Sequence, residues 1–237
     1  MLNRLGAALV AEAVGTFLFF FVGAGAVVLA AHAGANGPGL VGIALAHGLA
    51  LAVLVSALGA ISGAHFNPAV TVAVRLAGRI EWRDATAYVV VQLLAAVAAG
   101  LALNAVMPSA ATSASFTGTP TLDPGIGVAA GIAIEAVLTL VLVLTVFGTA
   151  VDRRAPRLGG MAIGFAVAAD IMMGGPLTGA AMNPARWFGP AVASGHYDNW
   201  YVWWIGPLIG AILGAVIYRY ALEGEADPNV TPATPEG

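Results

Sequence analysis

Neither cysteine nor lysine occurs anywhere in the 237 residues. Without cysteine, disulfides, thiolate metal sites and cysteine nucleophiles are excluded. Charge of any kind is scarce: Asp, Glu, Lys and Arg together make up 9% of the chain, against 59% hydrophobic residues. A soluble globular chain carries roughly 25% charged residues, so this one has too few to cover a water-facing surface. Several apolar runs reach the ~20 residues that a bilayer crossing needs. The sequence therefore describes a polytopic membrane protein whose obligatory partner is the lipid bilayer. No separate soluble domain is expected. Residues 1–223 read as one unit, and only the tail "GEADPNVTPATPEG" (224–237) reads as disordered. The "NVT" sequon at Asn229 lies in that tail and is expected to be idle. A cleaved signal peptide is not expected: the first apolar run is too long for an h-region, carries Glu12 and lacks a strongly basic start.

Positive charge comes only from nine arginines, at 4, 75, 79, 83, 153, 154, 157, 186 and 219. A hydropathy reading places spans at about 5–31, 38–60, 84–107, 125–151, 158–175 and 200–221. Eight arginines then fall at the N-terminus, in the loops around 75–83 and 152–157, or at the end of the last span. By the positive-inside rule those places, and both termini, are expected to be cytoplasmic, in a multi-pass protein of the cell membrane. The ninth, Arg186, lies between apolar segments with no carboxylate nearby in the chain.

Two apolar segments are only half a span long, "HFNPAVTVAVRLAG" and "MNPARWFGPAVASG". Each begins at Asn-Pro-Ala: Asn67, Pro68, Ala69 and Asn183, Pro184, Ala185. Each follows the second full span of its half. The first span of each half also carries a matching stretch, "EAVGT" (from Glu12) and "EAVLT" (from Glu135). The chain is thus a duplication, repeat one over about 5–107 and repeat two over about 125–221, of three spans plus a half-helix. An odd number of spans sets the copies in opposite orientations. Short interrupted segments at matching positions of such halves point to a transport site.

Irregular backbone at membrane depth is tolerated only where protein or a water-filled cavity satisfies it. Asn-Pro-Ala suits a helix that must begin there. Asn is a strong N-cap, and Pro at the first helical position loses no hydrogen bond. With its oxygen occupied by the cap, each Asn amide can offer N–H to a passing acceptor. Inversion brings Asn67 and Asn183 together near the midplane, with both positive dipole ends directed there, which repels protons and cations. Charge buried in a bilayer needs partners. Glu12 and Glu135 lie on the sides from which the two loops enter, and each is expected to accept loop N–H groups and brace its loop.

These residues resemble the major intrinsic proteins, the aquaporins, along nearly the whole chain, from "AEAVGTF" through "SGAHFNPAVT" and "MNPARWFGPAV" to "WWIGPLIGAILGAVIY". In "GTAVD", "GGPLTGAAMNPAR" and "FGPAV" the resemblance is to the tonoplast intrinsic group. It implies an all-α aquaporin-like bundle of six transmembrane helices and two re-entrant half-helices, one pore per subunit, and a homotetramer. It implies a four-residue selectivity filter on His47, Ile171, Ala180 and Arg186. It also implies vestibules laddered by the carbonyls of Gly63, Ala64 and His65 and of Gly179, Ala180 and Ala181. His47 and Arg186 are expected to supply donors on one wall, opposite an apolar wall of Ile171 and Ala180. The water-specific pattern has Phe in place of His47 and His in place of Ile171. The glycerol-facilitator pattern has Asp after the arginine, where this chain has Trp187. The resemblance therefore implies a passive channel for water, extending to ammonia, hydrogen peroxide or urea, with glycerol disfavoured. Asp170, beside Ile171, is expected to be buried between helices and bonded to backbone or a Ser/Thr hydroxyl.

Other classes fit less well. A coupled secondary transporter needs a titratable or sodium-liganding group at the midplane, where this chain offers amides and dipole ends. An ion channel calls for acidic rings or exposed carbonyl filters. No nucleophile–base pair, metal cluster or cofactor motif points to an enzyme, and nothing points to a nucleic-acid partner.

Overall fold

The computed structural model describes residues 3–152, 154 and 158–223; the tail from 224, Arg153 and Arg157 lie outside them. The helices in chain order are α1 (Arg4–Ala33), α2 (Gly39–Ser62), α3 (Pro68–Leu76), α4 (Trp82–Val106), α5 (Ser109–Ala114), α6 (Val128–Val146), α7 (Met161–Thr178), α8 (Pro184–Ser194) and α9 (Val202–Ile217). Wider π-type turns, Phe147–Val151 and Tyr218–Leu222, extend α6 and α9. Among the described residues six helical segments are long and apolar enough to cross a membrane. The two half-length helices α3 and α8 lie where the sequence places the interrupted segments.

Two boundaries differ from expectation. The span read as ending near 175 runs further; α7 continues through Pro176 to Thr178 and stops at Gly179, whose left-handed backbone (φ 77°) turns its N–H back to the Gly175 carbonyl. Glycine is the residue that adopts this C-cap without strain. The short helix α5 occupies part of the connection after α4, which reads only as a loop.

Packing repeats the internal symmetry. Helix α1 packs on α2 and α4, as α6 packs on α7 and α9. Each half-helix packs across the repeat boundary, α3 on α9 and α8 on α4, while α2 and α7 pair with one another. Backbones come very close at the α2–α7 crossing. A Cβ on Gly164 would lie 2.2 Å from the Gly48 carbonyl oxygen, and one on Gly48 would lie 2.5 Å from that of Gly164. Helix association in lipid depends on such small-residue contacts. Gly164→Val is therefore expected to prevent assembly, read as loss of the monodisperse peak in size-exclusion chromatography of the detergent-solubilised protein.

The arginine-bearing loops gather at one end of the bundle, around the C-terminal end of α9. Arg219 Nη1 donates to the Leu76 carbonyl at 3.0 Å, Arg154 Nη2 donates to that of Leu222 at 3.0 Å, and Arg79 pairs with Glu223. The Arg154 guanidinium, joined by the Tyr218 hydroxyl, also holds the Asp152 carboxyl well below the usual carboxylate range. Charge pattern and fold agree on which loops share a side.

Candidate functional site: the bore between the half-helices

Helices α3 and α8 begin in the same way. Asn67 and Asn183 have extended backbones (φ −157° and −158°). The Asn67 side-chain oxygen accepts from Ala69 N at 2.8 Å and Val70 N at 3.4 Å. That of Asn183 accepts from Ala185 N at 2.9 Å and Arg186 N at 3.3 Å. Each amide nitrogen then reaches across to the other repeat: Asn67 donates to the Met182 carbonyl at 3.0 Å, and Asn183 to the Phe66 carbonyl at 2.9 Å. The two caps thus meet and lock together. Because an amide carries two N–H groups, one remains on each asparagine, and both side chains line the central cavity.

The chain approaching each cap is strained in the same pattern. Ala64 and Phe66 before one cap, and Ala180 and Met182 before the other, have φ of 49°, 46°, 44° and 53°. A left-handed backbone costs an L-residue about 1–2 kcal/mol, and such strain persists where the surroundings over-determine it. Here the buried carboxylates do so. Glu12 accepts from His65 N (2.9 Å), Phe66 N (2.8 Å), Ser62 Oγ (2.6 Å) and Gln92 Nε2 (2.8 Å). Glu135 accepts from Ala181 N (2.9 Å), Met182 N (2.7 Å) and Thr178 Oγ1 (2.7 Å). Ser62 and Thr178 also accept from Ala64 N and Ala180 N, at 3.0 and 3.2 Å. Sequence reasoning missed these two hydroxyls, although "SGAHFNP" and "TGAAMNP" place them at equivalent positions; Gln92, inside an apolar helix, gave no comparable signal.

The level outward of the asparagines is narrow. His47 Nδ1 lies 2.9 Å from the Ile43 carbonyl, so that nitrogen carries the proton and Nε2 is a free acceptor. Arg186 Nε donates to it at 3.0 Å. His47 therefore offers no N–H to the bore, contrary to the expectation of two donor residues on that wall: its ring is occupied in orienting the arginine. Arg186 is only 4% exposed, and its Nη1 donates to the Gly118 carbonyl at 2.8 Å. With two of a guanidinium's five N–H groups so engaged, three remain. Gly118 belongs to the connection after α5, and no sequence signal marked it.

His47, Ile171 and Arg186 line both an outer cavity of about 300 Å³ and an inner one of about 40 Å³, so they form the boundary between a wide mouth and a narrow bore. Ala180 faces the inner cavity with Gly63, Ala64, His65 and Ala181, while Gly179 faces the outer one. The predicted residues are brought together. No Asp or Glu is among the residues lining the inner cavity. Asp170 departs from expectation: it is buried, 5% exposed, but its Oδ2 has no hydrogen-bond partner among the described residues. One residue along the helix from Ile171, it turns out of the bore, where no Ser or Thr hydroxyl reaches that oxygen.

The major intrinsic protein family profile matches residues 3–218. A probable aquaporin TIP3-2 of Arabidopsis thaliana is 42% identical over 227 residues, covering 91% of this chain and 83% of the relative. Aquaporin-2 of Rattus norvegicus is 39% identical over 217 residues, covering 91% and 78%. Among solved structures, the aquaglyceroporin of Plasmodium falciparum superposes with a TM-score of 0.79 at 23% identity, covering 92% of this chain and 96% of the other, a likeness of fold.

Proposed function

The chain belongs to the major intrinsic protein family, and from that premise we propose that it is a passive pore for water and small neutral solutes that excludes protons and ions. As a family member it is a multi-pass membrane channel for water and small solutes, and not an enzyme. The observation that carries the finer reading is the meeting of the Asn67 and Asn183 caps in the wall of the bore, each with one amide N–H free. A water passing there donates to neither asparagine and must accept from them. Its hydrogens then point away along the bore in both directions, which breaks a proton wire. The N-terminal dipole ends of α3 and α8 add positive potential at the same level. A coupled transporter would need a carboxylate able to bind its driving ion; Glu12 and Glu135 instead have their oxygens taken up by the loops.

His47, Ile171, Ala180 and Arg186 are the filter in this reading. Three arginine N–H groups replace part of a solute's hydration, while Ile171 and Ala180 leave the facing wall apolar. That arrangement passes water, and it suits ammonia, hydrogen peroxide and urea better than glycerol. The subunits assemble as a homotetramer with one bore each, and both termini are cytoplasmic. Stopped-flow light scattering of proteoliposomes under gradients of each solute tests the ranking. Urea and ammonia are expected to cross faster than in empty vesicles, with glycerol slower than either. A glycerol rate above that of urea would overturn the filter assignment.

A further inference from the structure

We infer that Thr117 and Asn104, neither of which touches the bore, are positioning residues that set where the filter arginine lies; the inference rests on the reading of Arg186 as a filter group. Among the described residues no carboxylate forms an ion pair with Arg186. Its guanidinium is fixed by His47 Nε2 on one side and by a single backbone carbonyl, that of Gly118, on the other. The position of that carbonyl depends on an unusual turn. Phe116, Thr117 and Gly118 all have left-handed backbones, with φ of 48°, 56° and 78°. Gly118 N donates to the Ser115 carbonyl at 2.8 Å and Thr119 N to that of Phe116 at 3.0 Å, but the first two of the three are not glycine, so the turn is strained despite these bonds.

A side-chain tie adds to these bonds and closes a ring. Thr117 Oγ1 donates to Asn104 Oδ1 at 2.7 Å. The Asn104 amide nitrogen donates to the Ala193 carbonyl at 2.8 Å. Ala193 lies in the last turn of α8, and Arg186 lies in the first. The path from Arg186 along α8 to Ala193, through Asn104 to Thr117, and on to Gly118 thus returns to the Arg186 guanidinium. Thr117 is 1% exposed, so water does not compete for its hydroxyl. On the other side the turn abuts α1, where a Cβ on Gly118 would lie 2.7 Å from the Ala24 carbonyl oxygen. A stack of Phe116 on His196, with ring centroids 4.0 Å apart, covers it from outside. Backbone strain of this kind persists where neighbours over-determine it and clusters at functional sites.

Without the Thr117 hydroxyl the turn relaxes and withdraws the Gly118 carbonyl. Arg186 then keeps only its bond to His47, and its freed end enters the lumen and obstructs it. One hydrogen bond of typical net strength corresponds to about a fivefold change in the ratio of held to released arginine, and so to at most that change in the conducting fraction. Thr117→Val, which keeps the branched shape, is therefore expected to lower water permeability per reconstituted protein more than about twofold and up to about fivefold. Thr117→Ser, which keeps the hydroxyl, should stay within about twofold of the parent. Asn104→Leu should reproduce Thr117→Val; it sits on the exposed side of α4, and it carries the comparison if the valine variant does not assemble. In an Arg186→Val background, Thr117→Val should change nothing further, because the residue acts through the arginine. Equal permeability of Thr117→Val, or of Asn104→Leu in its place, and the parent overturns the inference, as does an undiminished effect in the absence of Arg186. A parent that conducts no water would instead refute the proposed function.

Discussion

Replacing Arg186 with valine should make proteoliposomes leak protons at least about tenfold faster than those carrying the parent protein. A fixed charge about 4 Å from a passing cation opposes it by about 4 kcal/mol at an effective dielectric constant near 20. That alone corresponds to a factor well above ten, and the asparagine level remains as a second barrier in series. The substitution also changes the sign of what the constriction presents. The Gly118 carbonyl and His47 Nε2, both capped by the guanidinium in the parent, become open acceptors facing the lumen. A constriction that held donors then holds acceptors, which favours cations and hydronium. Dissipation of an imposed pH gradient, followed with an entrapped dye, reads the effect. Equal leak rates in parent and variant would assign proton exclusion to the asparagines alone.

Glu12→Gln should damage the protein more than any conservative change in the bore. The carboxylate accepts four hydrogen bonds, two from the strained backbone of the first loop. An amide accepts at one end only; its NH2 would confront either Ser62 and His65 N or Phe66 N and Gln92. Two buried donors lose their acceptor whichever way it turns. Breaking a buried charged network by altering one partner costs about 3–5 kcal/mol. The expected result is a thermal midpoint in detergent lower by about 10 °C, with water permeability per protein reduced in parallel. Glu135→Gln should act in the same direction but less strongly, since Glu135 accepts three bonds. If Glu12→Gln left stability and water flux intact while altering a proton flux, Glu12 would be a relay rather than a brace.

The features legible in the sequence are those that physics forces into local pattern. Six spans follow from lipid thickness, and the two Asn-Pro-Ala caps follow from the need to begin a helix where no water satisfies it. Duplication made Glu12 and Glu135 readable as a pair, and both accept loop N–H groups as anticipated. What could not be read depends on distant chain segments meeting. Gly118 reaches Arg186 across 68 positions and Gln92 reaches Glu12 across 80; neither carries a spacing signal. The role of His47 was half legible. Its place at the constriction follows from the resemblance, but only the Ile43 carbonyl fixes which nitrogen bears the proton, and that turns a presumed donor into the acceptor that orients Arg186. Asp170 shows the limit from the other side: adjacency to Ile171 located it, and nothing in the chain announced that a buried carboxyl oxygen would lack a partner.

Osmotic water permeability of the purified protein in liposomes, recorded together with the internal pH, tests the account most directly. The predicted result is swelling or shrinkage far faster than in empty vesicles, weakly dependent on temperature, with an imposed pH gradient decaying no faster than in those vesicles. Volume changes indistinguishable from empty vesicles, or water flux accompanied by proton flux, would contradict a bore whose two facing asparagines orient each passing molecule.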